Sequence, residues 1–120
     1  MGKDFYEQSA TAREVFDKAS KLLGFSMPEL CFEPNDRLDI TEYTQAAMVT
    51  TSIAMMKVLE EKGVKPDVAA GLSLGEYCAL AAAGVMSEED AIKTVRQRGI
   101  LMQEAVPVGQ GAMAAILALD

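Results

Sequence analysis

Val68-Ala69-Ala70-Gly71-Leu72-Ser73-Leu74-Gly75-Glu76-Tyr77 is the stretch on which the fold turns. The apolar run 68–72 predicts a short buried strand, and the alanine-rich run from Glu76 to Gly84 predicts a helix. Ser73 falls on the turn between them, inside Gly-x-Ser-x-Gly. A serine on a sharp strand-to-helix turn projects its hydroxyl from the sheet edge, and glycines two residues to either side leave room for strand and helix to pass closely. The Leu74 amide, at the start of the helix, is then placed to stabilise a tetrahedral oxyanion. Ser73 is therefore a candidate acyl-transfer nucleophile. A glycine-rich turn with an incidental serine is the plainer alternative.

Outward from this turn the pattern is mostly helical. Towards the N-terminus, Thr11 and Glu14 form a capping-box pattern that predicts a helix to about Leu23, with Gly24 as its stop. Pro28, Pro34, Asn35 and Asp36 predict an irregular connection. A second helix is expected from Thr41 or Thr44 to Gly63, apolar on most sides and hence inside a larger body. Towards the C-terminus, Ser87-Glu88-Glu89-Asp90 predicts a helix start and Pro107 its limit near Ala105. Gly109-Gln110-Gly111 reads as a turn and Ala112 to Leu119 as another strand. The expected class is α/β with too few strands for a parallel sheet, because one strand cannot satisfy its own backbone groups. A piece of a larger α/β domain fits best.

Composition narrows the chemistry. The 120 residues carry 11 basic and 18 acidic side chains, a net charge of −7. Nucleic acid and anionic membrane surfaces are repelled by such a chain. The longest uncharged run, Tyr43 to Met56, is shorter than the roughly 20 residues a membrane span needs. Cys31 and Cys78 stand alone and there is no histidine. No common zinc arrangement is available, no metal is expected, and two free thiols fit a reducing cytoplasm. The missing histidine matters most, because serine nucleophiles usually depend on an imidazole base.

Arg98 is the second candidate. At about 100° per residue, Ala91, Ile92, Val95, Gly99, Met102, Ala105 and Val106 share one helical arc, and Arg98 is the only charge within it. A guanidinium facing a core needs an anionic partner. Asp67 or Glu76 in a structural ion pair would serve, and so would the free carboxylate of a substrate acylating Ser73. Lys93 and Arg96 point away from the arc and read as a solvated face.

Gly-Leu-Ser-Leu-Gly-Glu-Tyr at 71–77, Thr-Gln-Ala-Ala at 44–47, and Arg98-Gly99 followed by Met-Gln-Glu-Ala at 102–105 occur together in this order. Over essentially the whole chain the combination resembles the malonyl-CoA:acyl-carrier-protein transacylase family. The resemblance implies that Ser73 is the nucleophile, Leu74 supplies an oxyanion amide, Arg98 pairs with the malonyl carboxylate and Met102 lines the acyl pocket. It implies malonyl-CoA as substrate, acyl carrier protein as partner, fatty-acid biosynthesis as setting, and no tightly bound cofactor. It further implies a partial acyltransferase fold. Residues 1–108 would belong to an α/β-hydrolase-like large domain, and 109–120 would begin a ferredoxin-like small subdomain. Leu72 departs from a frequent histidine and Ala46 from a frequent proline. The family's oxyanion glutamine and catalytic histidine match no position here, so the 120 residues alone are expected to be essentially inactive. An esterase of the α/β-hydrolase type and a non-catalytic helical interaction module are the alternatives.

Overall fold

The computed structural model describes residues 1–114 and 116–117, and its core is organised around one long helix. Six helices follow in order: α1 Lys3–Gln8, α2 Ala10–Leu23, α3 Met27–Phe32, α4 Thr41–Glu61, α5 Gly75–Ala82 and α6 Glu88–Ala105. α4 is apolar almost all round, and a helix of that kind belongs in the middle. It buries Gln45, Ala46, Ala47, Val49, Thr50, Thr51, Ile53, Ala54 and Val58. α2, α5 and α6 pack around it, while α1 and α3 cover α2.

α2 shows why a narrower stripe suffices at the periphery. Its buried residues, Ala12, Val15, Phe16 and Ala19, recur at helical spacing on one face. Phe16 is fully buried and meets Tyr6 edge-on at 5.6 Å and Phe32 at 5.2 Å, which ties α1 and α3 to α2. The Ser20 hydroxyl donates to the Phe16 carbonyl and accepts from the Met27 amide, joining the end of α2 to the start of α3.

Helix α4 runs from Thr41 to Glu61 and α6 from Glu88 to Ala105, as the sequence predicts. Several expectations are corrected. α2 is capped by Ser9, whose Oγ accepts from the Ala12 amide, whereas the Thr11 hydroxyl donates to Glu61 across on α4. Pro28 lies in the first turn of α3, where its missing donor does no harm, and Ser26 caps that helix. The region read as wholly irregular thus contains a helix. The expected strand at 68–72 is not formed: these residues are exposed, with Val68 at 88 % and Leu72 at 92 %, and no neighbouring strand takes up their backbone groups. Of the expected strand 112–119, the described residues 112–114, 116 and 117 form none, and the others lie outside the described residues. Among the described residues helices are the only regular elements, so neither the α/β-hydrolase-like sheet nor the ferredoxin-like strand is present there. Among the described residues no helix is long and apolar enough to cross a membrane.

Candidate active site

The turn at Ser73 is built by backbone geometry. Ser73 adopts φ 52°, and among the described residues it is the only non-glycine with positive φ. The left-handed region costs an L-residue roughly 1–2 kcal/mol, so a side chain retained there points to a use for it. The Gly75 amide donates to the Leu72 carbonyl at 2.9 Å, closing the turn. Gly71 has no alternative: a Cβ there would lie 2.0 Å from the carbonyl carbon and oxygen of Gly75. At Gly75 itself a Cβ would meet nothing within 4 Å, so only the first of the two glycines is required by close approach. Leu74 is the N-cap of α5, and its amide donates to no acceptor among the described residues. A free N–H at a helix start, next to an exposed serine hydroxyl, is suited to receive developing negative charge.

Arg98 is brought to this turn by α6. Its Nη2 donates to Ser73 Oγ at 3.0 Å, its Nη1 donates to Gln45 Oε1 at 2.6 Å, and its guanidinium lies 6.0 Å from the centre of the Tyr77 ring. Among the described residues no carboxylate comes within ion-pair distance of it, so the structural pair with Asp67 or Glu76 is not formed. A half-buried guanidinium whose hydrogen-bond partners are neutral retains capacity for an anion. Met102 lies one turn further along α6, its Sδ accepting from Gln45 Nε2 at 3.2 Å. Tyr77, Arg98, Leu101, Met102 and Ala105 line an open groove of about 580 Å³ between α5 and α6.

Gln45 joins these parts, and sequence reasoning gave it no role. It is 5 % exposed, and both ends of its carboxamide are used, the oxygen towards Arg98 and the nitrogen towards Met102. The available signal was a glutamine at the buried start of an otherwise apolar helix: a buried amide needs partners, and only another polar group could supply them. Arg96 is a further correction. Instead of facing solvent, it pairs with Glu42 at 2.9 Å and stacks over Tyr43 at 4.4 Å. Lys93 is exposed as expected.

The two cysteines do not compete as nucleophiles. Burial pushes both the Cys31 and Cys78 thiols above their ordinary range, which keeps them protonated at neutral pH. Among the described residues no cluster of three or more potential ligands could hold a metal ion.

Comparison with known proteins gives the chain its family. The family model described as "Acyl transferase domain" matches residues 1–119. A malonyl CoA-acyl carrier protein transacylase of Bacillus subtilis (strain 168) is 50 % identical over 121 residues, covering all of this chain and 38 % of that protein. The crystal structure of a malonyl CoA-acyl carrier protein transacylase from Clostridium perfringens superimposes with a TM-score of 0.86 at 46 % identity, over 91 % of this chain and 35 % of that one. A type II PKS acyl-carrier protein in complex with its malonyl-transacylase provides a further match, with a TM-score of 0.83 at 41 % identity, over 89 % of this chain and 35 % of that one. The chain thus spans little more than a third of the length of these relatives. A match over 119 residues, with solved structures of the same family superimposing on the helices, shows that this chain belongs to the acyl transferase domain family.

Proposed function

We propose that this chain carries the acyl-accepting and carboxylate-holding parts of a malonyl-CoA:acyl-carrier-protein transacylase. The observation that supports this most directly is Arg98. It is held by a buried glutamine, lies 3.0 Å from Ser73 Oγ, and has no carboxylate partner among the described residues. An esterase acting on simple esters has no use for such a group.

In the proposed reaction a malonyl thioester enters with its free carboxylate on Arg98, displacing the serine hydroxyl from the Nη2 edge of the guanidinium. Ser73 Oγ attacks the thioester carbonyl, and the serine proton passes to a base. The Leu74 amide faces the resulting oxyanion. Collapse of the tetrahedral intermediate breaks the carbon–sulfur bond, releases the CoA thiolate and leaves malonyl-Ser73. Attack by the phosphopantetheine thiol of acyl carrier protein on the ester carbonyl then forms the malonyl thioester, breaks the bond to Ser73 Oγ and returns a proton to that oxygen. Met102 borders the acyl chain. No tightly bound cofactor takes part, and the expected setting is fatty-acid biosynthesis in the cytoplasm. In this reading residues 1–108 belong to the large domain and 109–120 begin the smaller one.

The base is the missing part, since the 120 residues contain no histidine. Absent general-base catalysis costs roughly 10²- to 10⁴-fold in rate, and one absent oxyanion donor about 10²- to 10³-fold. The 120-residue chain is therefore expected to acylate slowly and to turn over essentially not at all. The test is intact mass after incubation with malonyl-CoA or acetyl-CoA, for the parent, Ser73→Ala and Arg98→Ala. A malonyl adduct that exceeds the acetyl one, disappears with Ser73→Ala and loses its preference with Arg98→Ala is expected. An adduct that survives Ser73→Ala, or equal labelling by the two thioesters, contradicts the assignment. Brisk turnover onto carrier protein that Ser73→Ala abolishes would show the missing base to be dispensable.

A further inference from the structure

The aim of Arg98 at Ser73 depends on the register between α4 and α6, because Gln45 belongs to one helix and Arg98 to the other. That register is set at the first turn of α4. There the two backbones touch: a Cβ on Gly99 would lie 2.8 Å from Glu42 Cα and 3.0 Å from the Thr41 carbonyl oxygen. Such a contact limits how closely the helices approach, but it does not stop one sliding along the other. Arg96 supplies that resistance. Its Nη1 donates to the Glu42 carbonyl at 2.7 Å and its Nη2 pairs with Glu42 Oε2 at 2.9 Å. The same guanidinium lies over Tyr43 at 4.4 Å and Phe25 at 5.5 Å. The paired side chains are only 19 % and 26 % exposed, so solvent screens them little.

Gln45 lies one turn beyond Glu42, and Arg98 two residues beyond Arg96. A slip at the Arg96–Glu42 contact is therefore carried rigidly to the bond between Gln45 and Arg98, and hydrogen bonds weaken steeply with small misalignments. We propose that Arg96 is a positioning residue, whose grip on Glu42 holds α4 and α6 in the register that aims Arg98 at Ser73. This rests on the reading that Arg98 receives the carboxylate of the acyl group. Arg96 touches no reacting atom in this scheme; it acts through Glu42 and Gln45.

The experiment uses the ¹⁵N-labelled 120-residue chain and follows the side-chain resonances of Gln45 and Arg98, with malonate as the titrated probe. Arg96→Gln removes the grip, Glu42→Gln weakens it while keeping the backbone bond, and Arg96→Lys keeps the charge without the fork or the stack. All are read below their unfolding midpoints. Arg96→Gln is expected to move the Gln45 and Arg98 side-chain resonances, leave the backbone amide resonances of Phe16 and Tyr6 in place, and weaken malonate about tenfold, the scale of one charge-assisted hydrogen bond. Glu42→Gln and Arg96→Lys should fall between this variant and the parent. Unmoved Gln45 and Arg98 resonances in both Arg96→Gln and Glu42→Gln overturn the proposal. If instead the resonances move but the parent ignores malonate, the register role stands and the carboxylate reading of Arg98 falls.

Discussion

Replacing Ser73 by glycine should give a more stable protein than replacing it by alanine, the reverse of the order found inside a helix. Ser73 sits at φ 52°, where an L-residue pays roughly 1–2 kcal/mol that glycine does not. Against this, glycine gives the unfolded chain more freedom, worth about 0.4–1 kcal/mol. Both variants lose the hydrogen bond from Arg98, so that term cancels in the comparison. The difference leaves Ser73→Gly more stable than Ser73→Ala by about 0.8 kcal/mol in the middle of the range, or about 3 °C in Tm for a domain of this size. Urea and thermal unfolding followed by helical circular dichroism measure it. Ala79→Gly in the body of α5 is the control, and should lose about 1 kcal/mol. If Ser73→Ala matches or exceeds Ser73→Gly, the turn is not held in the left-handed conformation, and the argument that a strained serine is retained for its hydroxyl fails with it.

Three further outcomes follow from the packing. Phe16→Ala empties a fully buried site shared with Tyr6 and Phe32 and should cost about 3–5 kcal/mol, a large part of a typical domain's stability, read as a collapse of the urea midpoint. Ser87→Ala removes the Oγ that accepts from the Asp90 amide at 3.0 Å and should lower stability by about 1 kcal/mol, with helix loss near Glu88 seen by amide exchange. Acid should act weakly at the Lys18–Glu89 pair: a hydrogen bond from Lys18, 2.7 Å away, holds the Glu89 carboxyl below its usual range, and with both side chains well exposed its contribution to stability is small. That contribution is whole above about pH 4.3 and fades as pH falls through the lower folded value, so Glu89→Gln should slightly flatten the acid limb of the urea midpoint. The matching lysines, Lys18 and Lys57, are raised by bonds to Glu89 and Glu88, so their contribution is whole below about pH 10.4 and lost above it.

What the sequence made legible was whatever is written in local periodicity. α4 and α6 are long enough for their apolar patterns and their limits to be read directly, and Ser87 announces the start of α6. The short helices were harder. α3 is six residues long, too few for a periodic pattern, and Pro28 reads equally as a breaker or as a first-turn residue. The segment 68–72 has strand composition, but a strand is a property of a pair, and no partner appears among the described residues. Arg98 could be placed on an apolar arc from spacing alone. Its partner could not, because a hydrogen bond to Gln45, 53 positions away, depends on how α4 and α6 cross. Arg96 was misjudged for the same reason: a residue off the apolar arc is solvated only if no other element covers it, and the start of α4 does.

The site also separates two tasks that catalysis usually joins. In the proposed reaction, selecting a carboxylated acyl group rests on Arg98, its hydrogen bond to Gln45 and the contact between the start of α4 and α6, which lie between residues 41 and 99. Moving the serine proton needs a base, and no histidine exists anywhere in the 120 residues. The contacts that position Arg98 among the described residues, to Gln45 and Ser73, are made without a histidine. Removing Arg98 leaves the strained turn and the Leu74 amide in place, because the turn is closed by its own backbone bond between Gly75 and Leu72. Preference for a carboxylate should therefore persist in this chain at rates where turnover has vanished. That is why the ratio of malonyl to acetyl labelling, and not the absolute rate, carries the information about what the site is for.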